Sequence, residues 1–320
     1  MSFASIAKPV GAACNLACSY CFFRDRGTPG PTMSDAVMRA YVDQAAETGS
    51  VVWQGGEPTL AGLDFYRRVV AHLGSRRLSL HAIQTNGVLI GDEWAAFLAE
   101  HRILVGVSVD GPQAVHDRNR RGHDGLGSWR AAVRCVRALQ RAGAEFNVLS
   151  TVNEAGGALQ VYRHLRDDLG ATHMQFIPVG CSGPRWGEFL VSVLDASTRD
   201  RVFVANFDAP TCSTMPTCGR CPVVDRDGDV YSCDHYVTPE HRLGNVLTGR
   251  IADMLDSPAQ RAFGRAKATA AACSGCPALD ICHGECPRTR GSDGRSRYCE
   301  GYRALDAHLR LTRGAARARG

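Results

Sequence analysis

The sequence contains no run of about 18 or more apolar residues, the length that a helix needs to cross a bilayer. Its first ten residues, MSFASIAKPV, have neither the basic segment nor the cleavage site of a secretory signal peptide. We therefore predict a cytoplasmic protein with no membrane partner. The glycine-rich segment 121–127 is not followed by GK[ST], so we interpret it as a loop and not as a phosphate cradle.

Positive charge of the kind that binds nucleic acid is also scarce, because the net charge is only +5. Much of it lies in the basic tail 306–320, at Arg310, Arg313, Arg317 and Arg319. We interpret this tail as a solvated, frayed end and predict no nucleic-acid partner.

What the chain does contain is enough apolar material for a large core. Its 320 residues are 44% hydrophobic and 22% charged, which is typical of a globular protein with one large domain and a smaller one. It also has 14 cysteines, and in a protein that is not exported these are expected to be metal ligands and not disulfides.

Up to about residue 180, short apolar runs alternate with longer amphipathic ones. The predicted strands are 3–10, 51–54, 78–84, 103–109, 145–151 and 173–178. The predicted helices lie near 34–48, 61–75, 91–100, 127–142 and 155–169. This alternation predicts an α/β fold with a parallel sheet, open or partly closed as a (β/α)6 barrel. Chemistry in such folds gathers at the carboxyl ends of the strands.

Three cysteines follow the first strand in the order C-x3-C-x2-C, at Cys14, Cys18 and Cys21. A complete [4Fe–4S] cluster has four thiolate ligands, so a loop that supplies three leaves one iron open. Two further cysteines fall at set offsets by chance with a probability of about 0.002, so the spacing indicates a catalytic cluster. The glycine pair Gly55-Gly56 after the second strand can be read simply as a tight turn, and we expect Glu57 to hold that loop.

After residue 210 the cysteines become dense, with nine between residues 212 and 299. The run C-x2-C-x5-C-x3-C at 273–286 has too many thiols for one zinc site, and four more cysteines give the eight that two clusters require. Cys135 and Cys181 are expected to be buried free thiols. Cys221 is ambiguous, because it forms a possible metal hairpin with Cys218 and could replace it as a ligand.

The motifs CNLACSYC, QGGEP at 54–58, SVDGP at 108–112 and HDRNR at 116–120 together resemble the radical S-adenosylmethionine enzymes. The C-terminal half is similar to a SPASM auxiliary-cluster domain, and the whole chain most resembles the anaerobic sulfatase-maturating enzymes. The resemblance implies a radical S-adenosylmethionine partial barrel at 1–180, a bridge at 181–210, the SPASM domain at 211–305 and the tail at 306–320.

The resemblance also implies the cofactors, which are S-adenosylmethionine and three [4Fe–4S] clusters. The implied ligands are Cys14, Cys18 and Cys21 for the catalytic cluster, Cys212, Cys218, Cys233 and Cys286 for auxiliary cluster one, and Cys273, Cys276, Cys282 and Cys299 for auxiliary cluster two. The implied contacts of S-adenosylmethionine are Tyr20, Gly56, Ser108, Arg120 and Gly180.

The implied reaction converts a cysteine or serine of a sulfatase polypeptide to Cα-formylglycine through a 5′-deoxyadenosyl radical, with a flavodoxin or ferredoxin-type electron donor. Asp234 matches the proton acceptor of the family. A free thiol and a free aspartate differ by about 4.6 pKa units, or about 6 kcal/mol, so an ordinary carboxylate is a weak base for this transfer. The alternative role for Asp234 is a carboxylate that only supports Cys233.

Two features depart from the sulfatase-maturating pattern. Only about 35 residues separate the sixth strand from Cys212, and Phe23 stands where these enzymes often have a tyrosine. An alternative function is therefore a peptide maturase that forms thioether or carbon–carbon crosslinks. A third reading, a non-catalytic cysteine-rich module that binds zinc or carries electrons, does not explain the three-cysteine loop.

Overall fold

A computed structural model describes residues 4–23, 30–154, 156–209, 211–219 and 221–317. The strands within these ranges are β1 (Ile6–Ala7), β2 (Ser50–Trp53), β3 (Leu80–Thr85), β4 (Leu104–Ser108), β5 (Phe146–Val152), β6 (His173–Pro178), β7 (Phe203–Val204), β8 (Val223–Val224), β9 (Asp229–Tyr231) and β10 (Arg242–Asn245). The helices are α1 (Asp35–Glu47), α2 (Leu63–Leu73), α3 (Asp92–Glu100), α4 (Gln113–Asn119), α5 (Trp129–Ala142), α6 (Ala158–Arg163), α7 (Gly183–Asp200), α8 (Ala205–Asp208), α9 (Ile251–Leu255), α10 (Pro258–Arg265), α11 (Leu279–Cys282) and α12 (Cys299–Arg317).

The chain packs as two compact units. The first comprises the chain up to Val109 together with His116–Val148 and Gly219–Gly264, and the second comprises Asp110–Val115, Leu149–Cys218 and the chain from Arg265 onward. These units are defined by packing, whereas the domains predicted from the sequence are defined by motifs. The predicted boundaries at 180 and 211 therefore stay a prediction.

In the first unit the strands lie in the order β10-β9-β8-β1-β2-β3-β4. β1, β2, β3 and β4 run parallel, which confirms the α/β class expected from the alternation of strands and helices. β8 pairs parallel with the other side of β1, and β8, β9 and β10 form an antiparallel meander. The cysteine-rich segment thus adds its own strands to the edge of the first-unit sheet.

The core of the first unit forms where helices cover this sheet. On α5, Cys135, Val136 and Leu139 are fully buried, as the helical spacing of its apolar residues requires. The buried hydroxyl of Tyr41 on α1 donates to the carbonyl oxygens of Ser5 and Val52, at 3.0 and 3.1 Å. These contacts hold α1 against the backbone of both β2 and the residue before β1.

The second unit contains the end of β5 followed by β6 and β7, and β6 and β7 are parallel. Helix α7 occupies most of the segment predicted as a bridge, where no helix was expected. It packs closely on α12, since a Cβ atom on Gly187 would stand 2.9 Å from the Cα atom of Gly301. Helix α12 continues to Arg317, so the frayed end expected from 306 onward is wrong for that part; residues 318–320 lie outside the described ranges.

The predicted strands and helices of the first 180 residues are otherwise present, with ends shifted by a few residues. The first strand is shorter than expected, and the first three residues of the chain lie outside the described part. Helix α4 was not expected, because Gly111-Pro112 reads as a turn. Among the described residues, no helix combines the length and the apolar character needed to cross a bilayer.

Candidate active site and cluster sites

The loop that carries the first three cysteines begins directly after β1. The amide of Leu16 donates to Cys14 Sγ at 3.4 Å, and Asn86 Nδ2 at the end of β3 lies 3.8 Å from the same sulfur. Asn86 Nδ2 also donates to Asn15 Oδ1 at 2.7 Å. Donors directed at a sulfur stabilise its anionic, metal-binding form.

The three thiols of this loop are close enough to interact electrostatically. Burial raises the pKa of the Cys14 thiol to about 12, and the Leu16 amide acts in the opposite direction. Cys18 and Cys21, together with the carboxylate of Glu57, add to the increase. Such thiols stay protonated unless a cation stabilises their thiolate forms, and iron is such a cation.

The turn after β2 lies against the cysteine loop at backbone contact distance. A Cβ atom on Gly56 would stand 2.0 Å from the carbonyl oxygen of Ala13. The amides of Gly56 and Glu57 donate to the carbonyl oxygens of Gly11 and Ala13, at 2.9 and 2.8 Å. Gly56 is therefore more than part of a tight turn, because it lets two backbone segments of the site touch.

Glu57 joins this turn to the end of β3. Its buried carboxylate accepts hydrogen bonds from Thr59 N and Thr59 Oγ1, at 3.1 and 2.5 Å, and from Thr85 Oγ1 and Asn86 N, both at 2.7 Å. Burial raises the pKa of Glu57, and these hydrogen bonds oppose the increase. The prediction that Glu57 holds the loop is confirmed.

The structure brings together two of the residues expected to contact S-adenosylmethionine. The guanidinium group of Arg120 lies over the ring of Tyr20, 5.4 Å from its centroid. Ser108 ends β4, and its hydroxyl accepts a hydrogen bond from Gln84 Nε2 at 3.1 Å. Gly180 belongs to the second unit and has a left-handed backbone with φ +72°.

Two nearby residues of the HDRNR motif have supporting roles. Asp117 Oδ1 accepts the amide of Trp129 at 2.8 Å and so caps the start of α5. His116 is buried, and its Nε2 atom lies 3.0 Å from the hydroxyl oxygen of Ser128. Both residues brace the segment after β4.

Asp234 follows Cys233 and opens a single turn of 3-10 helix. Its Oδ1 atom forms an ion pair with the ammonium group of Lys8, the residue after β1. This atom is buried and accepts no geometrically sound hydrogen bond within the described residues, so the contact is electrostatic. The ammonium group also lies 4.1 Å from the centroid of the Phe23 ring. The neighbouring Phe22 ring stands 4.2 Å from that of His235.

In the second unit, the four cysteines predicted for auxiliary cluster two interact with one another. The pKa of Cys282 is raised by burial and then by the charges of Cys276, Cys299 and Cys273. Burial and the charges of Cys276 and Cys273 likewise raise the pKa of Cys299, while Arg303 and Arg295 lower it. The structure thus gathers the whole predicted set.

Three of the four cysteines predicted for auxiliary cluster one also meet in the second unit. Burial raises the pKa of Cys218 to about 11, and the charges of Cys212 and Cys286 add to the increase. The buried Lys267 opposes it, and its ammonium group donates to the Cys212 and Ser213 carbonyl oxygens, at 3.3 and 2.7 Å.

The remaining cysteines lie elsewhere. Cys233 follows β9 in the first unit, and its place in auxiliary cluster one stays a prediction. Cys221, also in the first unit, interacts electrostatically with Tyr41 of the core. Cys135 and Cys181 are buried, at 0% and 5% exposure, as predicted for free thiols.

Within the described residues, no three His, Cys, Asp or Glu side chains converge on a point where a single metal ion could sit. A four-iron cluster is larger than an ion, and its thiolate ligands stand at separate corners. The cysteine sets described above, with their backbone and cationic neighbours, are of the residue type that holds such clusters.

Sequence reasoning missed two buried lysines, one beside Asp234 in the first unit and one beside Cys212 in the second. Lys8 was visible as a charge inside the first apolar run, and Lys267 as an isolated cation before the run at 273–286. Neither signal indicates which residue the ammonium group meets. It also missed His123, whose Nε2 atom lies 3.1 Å from the Cys14 carbonyl oxygen.

Two family models match this chain. Residues 9–154 match the radical SAM superfamily, and residues 212–277 match SPASM, an iron–sulfur cluster-binding domain. The matched segments contain the cysteine loop and most of the later cysteines.

Curated relatives match nearly the whole chain. A serine-type anaerobic sulfatase-maturating enzyme of Klebsiella aerogenes is 33% identical over 94% of this chain and 83% of the relative. A cysteine-type anaerobic sulfatase-maturating enzyme of Clostridium perfringens is 30% identical over 92% of this chain and 93% of the relative.

Solved structures give the same result. Native anSMEcpe with bound AdoMet and Kp18Cys peptide matches with a TM-score of 0.88 and 28% identity, over 98% of this chain and 99% of that one. Streptococcus suis SuiB bound to its precursor peptide SuiA matches with a TM-score of 0.71 and 15% identity, over 93% of this chain and 75% of that one, which is a likeness of fold.

Proposed function

Since the chain belongs to the anaerobic sulfatase-maturating enzymes, we propose that it oxidises a cysteine or serine side chain of a sulfatase polypeptide to Cα-formylglycine. It is a radical S-adenosylmethionine oxidoreductase that uses [4Fe–4S] clusters. The observation that carries the proposal is that one packing unit holds the three-cysteine loop, the Gly56 turn and the Asp234 carboxylate.

Cys14, Cys18 and Cys21 are the residues that would hold the catalytic cluster. When bound, the clusters and S-adenosylmethionine supply a 5′-deoxyadenosyl radical that removes hydrogen from the substrate carbon, and an acceptor for the remaining electron. The protein holds the loop rigid through Asn86 and through backbone contacts with the Gly56 turn.

The contacts of S-adenosylmethionine are proposed at the carboxyl ends of the strands. Gly56 would offer its backbone to the methionine amino group, and Tyr20 would lie near the adenine. Ser108 and Arg120 would meet the ribose and carboxylate region, and Gly180 would complete the adenine pocket. The supporting observations are the bare backbone at Gly56 and the stacking of Arg120 on Tyr20, which orients both side chains.

The auxiliary clusters would be held by the later cysteines. Cys273, Cys276, Cys282 and Cys299 form the second set, and Cys212, Cys218, Cys233 and Cys286 the first. The place of Cys218 in this set is supported by the interaction of its thiol with those of Cys212 and Cys286.

Asp234 is proposed as the acceptor of the proton that leaves the substrate thiol or hydroxyl group. Its Oδ1 atom is buried, yet the side chain as a whole keeps 18% of its surface exposed. The exposed part therefore lies elsewhere on the side chain, and the proposed role requires that it include Oδ2. A residue that only supported Cys233 would not need an accessible oxygen.

The electron donor is proposed to be a flavodoxin or ferredoxin-type protein, and the compartment is proposed to be the cytoplasm. Reduced thiols and reduced clusters both require a reducing compartment.

The test uses the reconstituted enzyme under anaerobic conditions, with dithionite, S-adenosylmethionine and peptides containing Cys-x-Pro-x-Arg or Ser-x-Pro-x-Arg. Deoxyadenosine is measured by chromatography, peptide mass by mass spectrometry and aldehyde by a hydrazide reagent. Conversion of cysteine to formylglycine exchanges sulfur for oxygen and removes two hydrogens. A product that keeps its sulfur, loses only hydrogens and does not react with hydrazide would instead indicate a crosslink.

The role of Asp234 is tested in the same assay with Asp234→Asn. Formylglycine formation should fall by about 100-fold or more, since a positioned general base contributes rate factors of this size. Asp227→Asn is the matched control on the same hairpin, because asparagine can still accept the hydrogen bond from the Asp229 amide. Wild-type yield from Asp234→Asn would refute the assigned role.

A further inference from the structure

Lysine is rare in this protein and occurs only at Lys8 and Lys267, while all the other residues among the 37 lysines and arginines are arginine. Both lysine side chains are almost completely buried, at 1% exposure each. Buried ammonium groups are uncommon and need a partner. The position of Lys8 therefore calls for an explanation.

The space around Lys8 is closed on several sides. Its amide donates to the carbonyl oxygen of Val224 at 2.8 Å, which fixes its backbone between β1 and β8. Its Cβ atom would lie 3.2 Å from a Cβ atom on Gly55, so the turn after β2 packs directly on its stem. The ring of Phe23 covers the ammonium group at 4.1 Å. The side chain is thereby held in one direction.

The Lys8 side chain points toward carboxylates of the β8–β9 segment. The ammonium group contacts the buried Oδ1 atom of Asp234. Asp225, in the turn of the same hairpin, also interacts electrostatically with Lys8. Each buried charge compensates another, so the cation restricts where the Asp234 carboxylate can lie.

We propose that Lys8 is a positioning residue for the reaction: it binds the buried oxygen of Asp234 and so directs the other oxygen toward the substrate. This inference rests on the proposed function of Asp234 as proton acceptor. In that step the O–H or S–H bond of the substrate breaks, the proton bonds to Asp234, and Lys8 transfers nothing. A carboxylate without this anchor can rotate, and displacement of about 1 Å can slow a positioned reaction by about 100-fold.

The experiment compares Lys8→Met with wild type in the reconstituted holoenzyme. The readout is formylglycine formed per deoxyadenosine released, with iron and sulfide content measured on the same sample. A role confined to folding would lower both products together and leave their ratio unchanged. Positioning lowers the ratio, and we expect a decrease of about 10- to 100-fold.

Two further variants and a control make the result specific. Lys8→Arg restores a cation and should return the ratio to within about threefold of wild type. Lys8→Gln is a second neutral variant, should the methionine variant fail to hold iron. Arg242→Met is the matched control, because it removes the cation of the ion pair with Asp229 on the same meander.

The inference is overturned if Lys8→Met, or Lys8→Gln in its place, forms formylglycine per deoxyadenosine at the wild-type ratio. Failure of the proposed function looks different, because wild type itself would then release deoxyadenosine without forming formylglycine from either peptide.

Discussion

Replacing Gly56 with alanine should separate the cysteine loop from the turn after β2. The added Cβ atom would stand 2.0 Å from the carbonyl oxygen of Ala13 and 2.7 Å from the carbonyl carbon of Ala12. Both neighbours are backbone atoms, so rotation of a side chain cannot relieve the overlap. The two segments must move apart by about 1 Å or more to reach ordinary van der Waals distances.

The size of the effect follows from the contacts that this movement would break. The amides of Gly56 and Glu57 now lie 2.9 and 2.8 Å from the Gly11 and Ala13 carbonyl oxygens. A shift of about 1 Å takes both beyond the range of a hydrogen bond. Two lost hydrogen bonds cost about 1 kcal/mol each, and overpacking adds about 1–3 kcal/mol. The packing of the cysteine loop on the turn after β2 should therefore be destabilised by about 3–5 kcal/mol.

The assay is anaerobic reconstitution followed by measurement of iron, acid-labile sulfide and binding of S-adenosylmethionine. Gly56→Ala should retain about four fewer iron atoms per chain, which is the content of one cluster. Gly91→Ala is the matched control, because its φ is −113° and a Cβ atom there meets nothing within 4 Å. Wild-type iron content and cofactor binding in Gly56→Ala would show that the close approach has no role in holding the cluster.

Two other predictions concern a cluster ligand and a buried histidine. Cys218→Ser should lower the iron content by about four atoms per chain, whereas Cys221→Ser should keep it, and the reverse result would exchange their roles. Burial lowers the pKa of His81 from 6.5 to about 4, so as the pH falls through this interval the unfolded chain takes up the proton first. The free energy of unfolding should therefore decrease by up to about 3 kcal/mol between these pH values. In His81→Gln, whose amide oxygen can accept the Trp53 indole N–H, urea midpoints should depend less on pH, and equal slopes would contradict this.

The repeating part of the fold was predictable because local pattern determines it. The apolar run 173–178 coincides with β6, and the buried face of α5 follows from the spacing of Val136 and Leu139. Helix α7 also has local signals, since Ser182 caps its start and Pro184 stands in its first turn. The interpretation of 181–210 as a bridge did not use these helix signals, because the nearby cysteines suggested a segment organised by metal.

The candidate site was predictable where its cysteines lie a few residues apart in the sequence. The loop at Cys14 and the run beginning at Cys273 indicate candidate cluster ligands by their offsets alone. The pairing of Lys8 with Asp234 joins residues far apart in sequence, and no local pattern specifies it. It depends on β8 pairing with β1, and two-residue strands leave no periodic signal in a sequence.

The pairing of β8 with β1 brings the cysteine loop close to the segment that contains Cys233 and Asp234. β1 leads through Lys8 into the cysteine loop, and β8 leads through β9 to Cys233 and Asp234. Because both strands belong to one sheet in one packing unit, the distance between the cysteine loop and Asp234, the proposed proton acceptor, follows from strand pairing. Lys8 lies at this junction and contacts Asp234 directly. A substitution that disturbs the pairing should therefore reduce formylglycine formation even where the cysteine loop itself is intact.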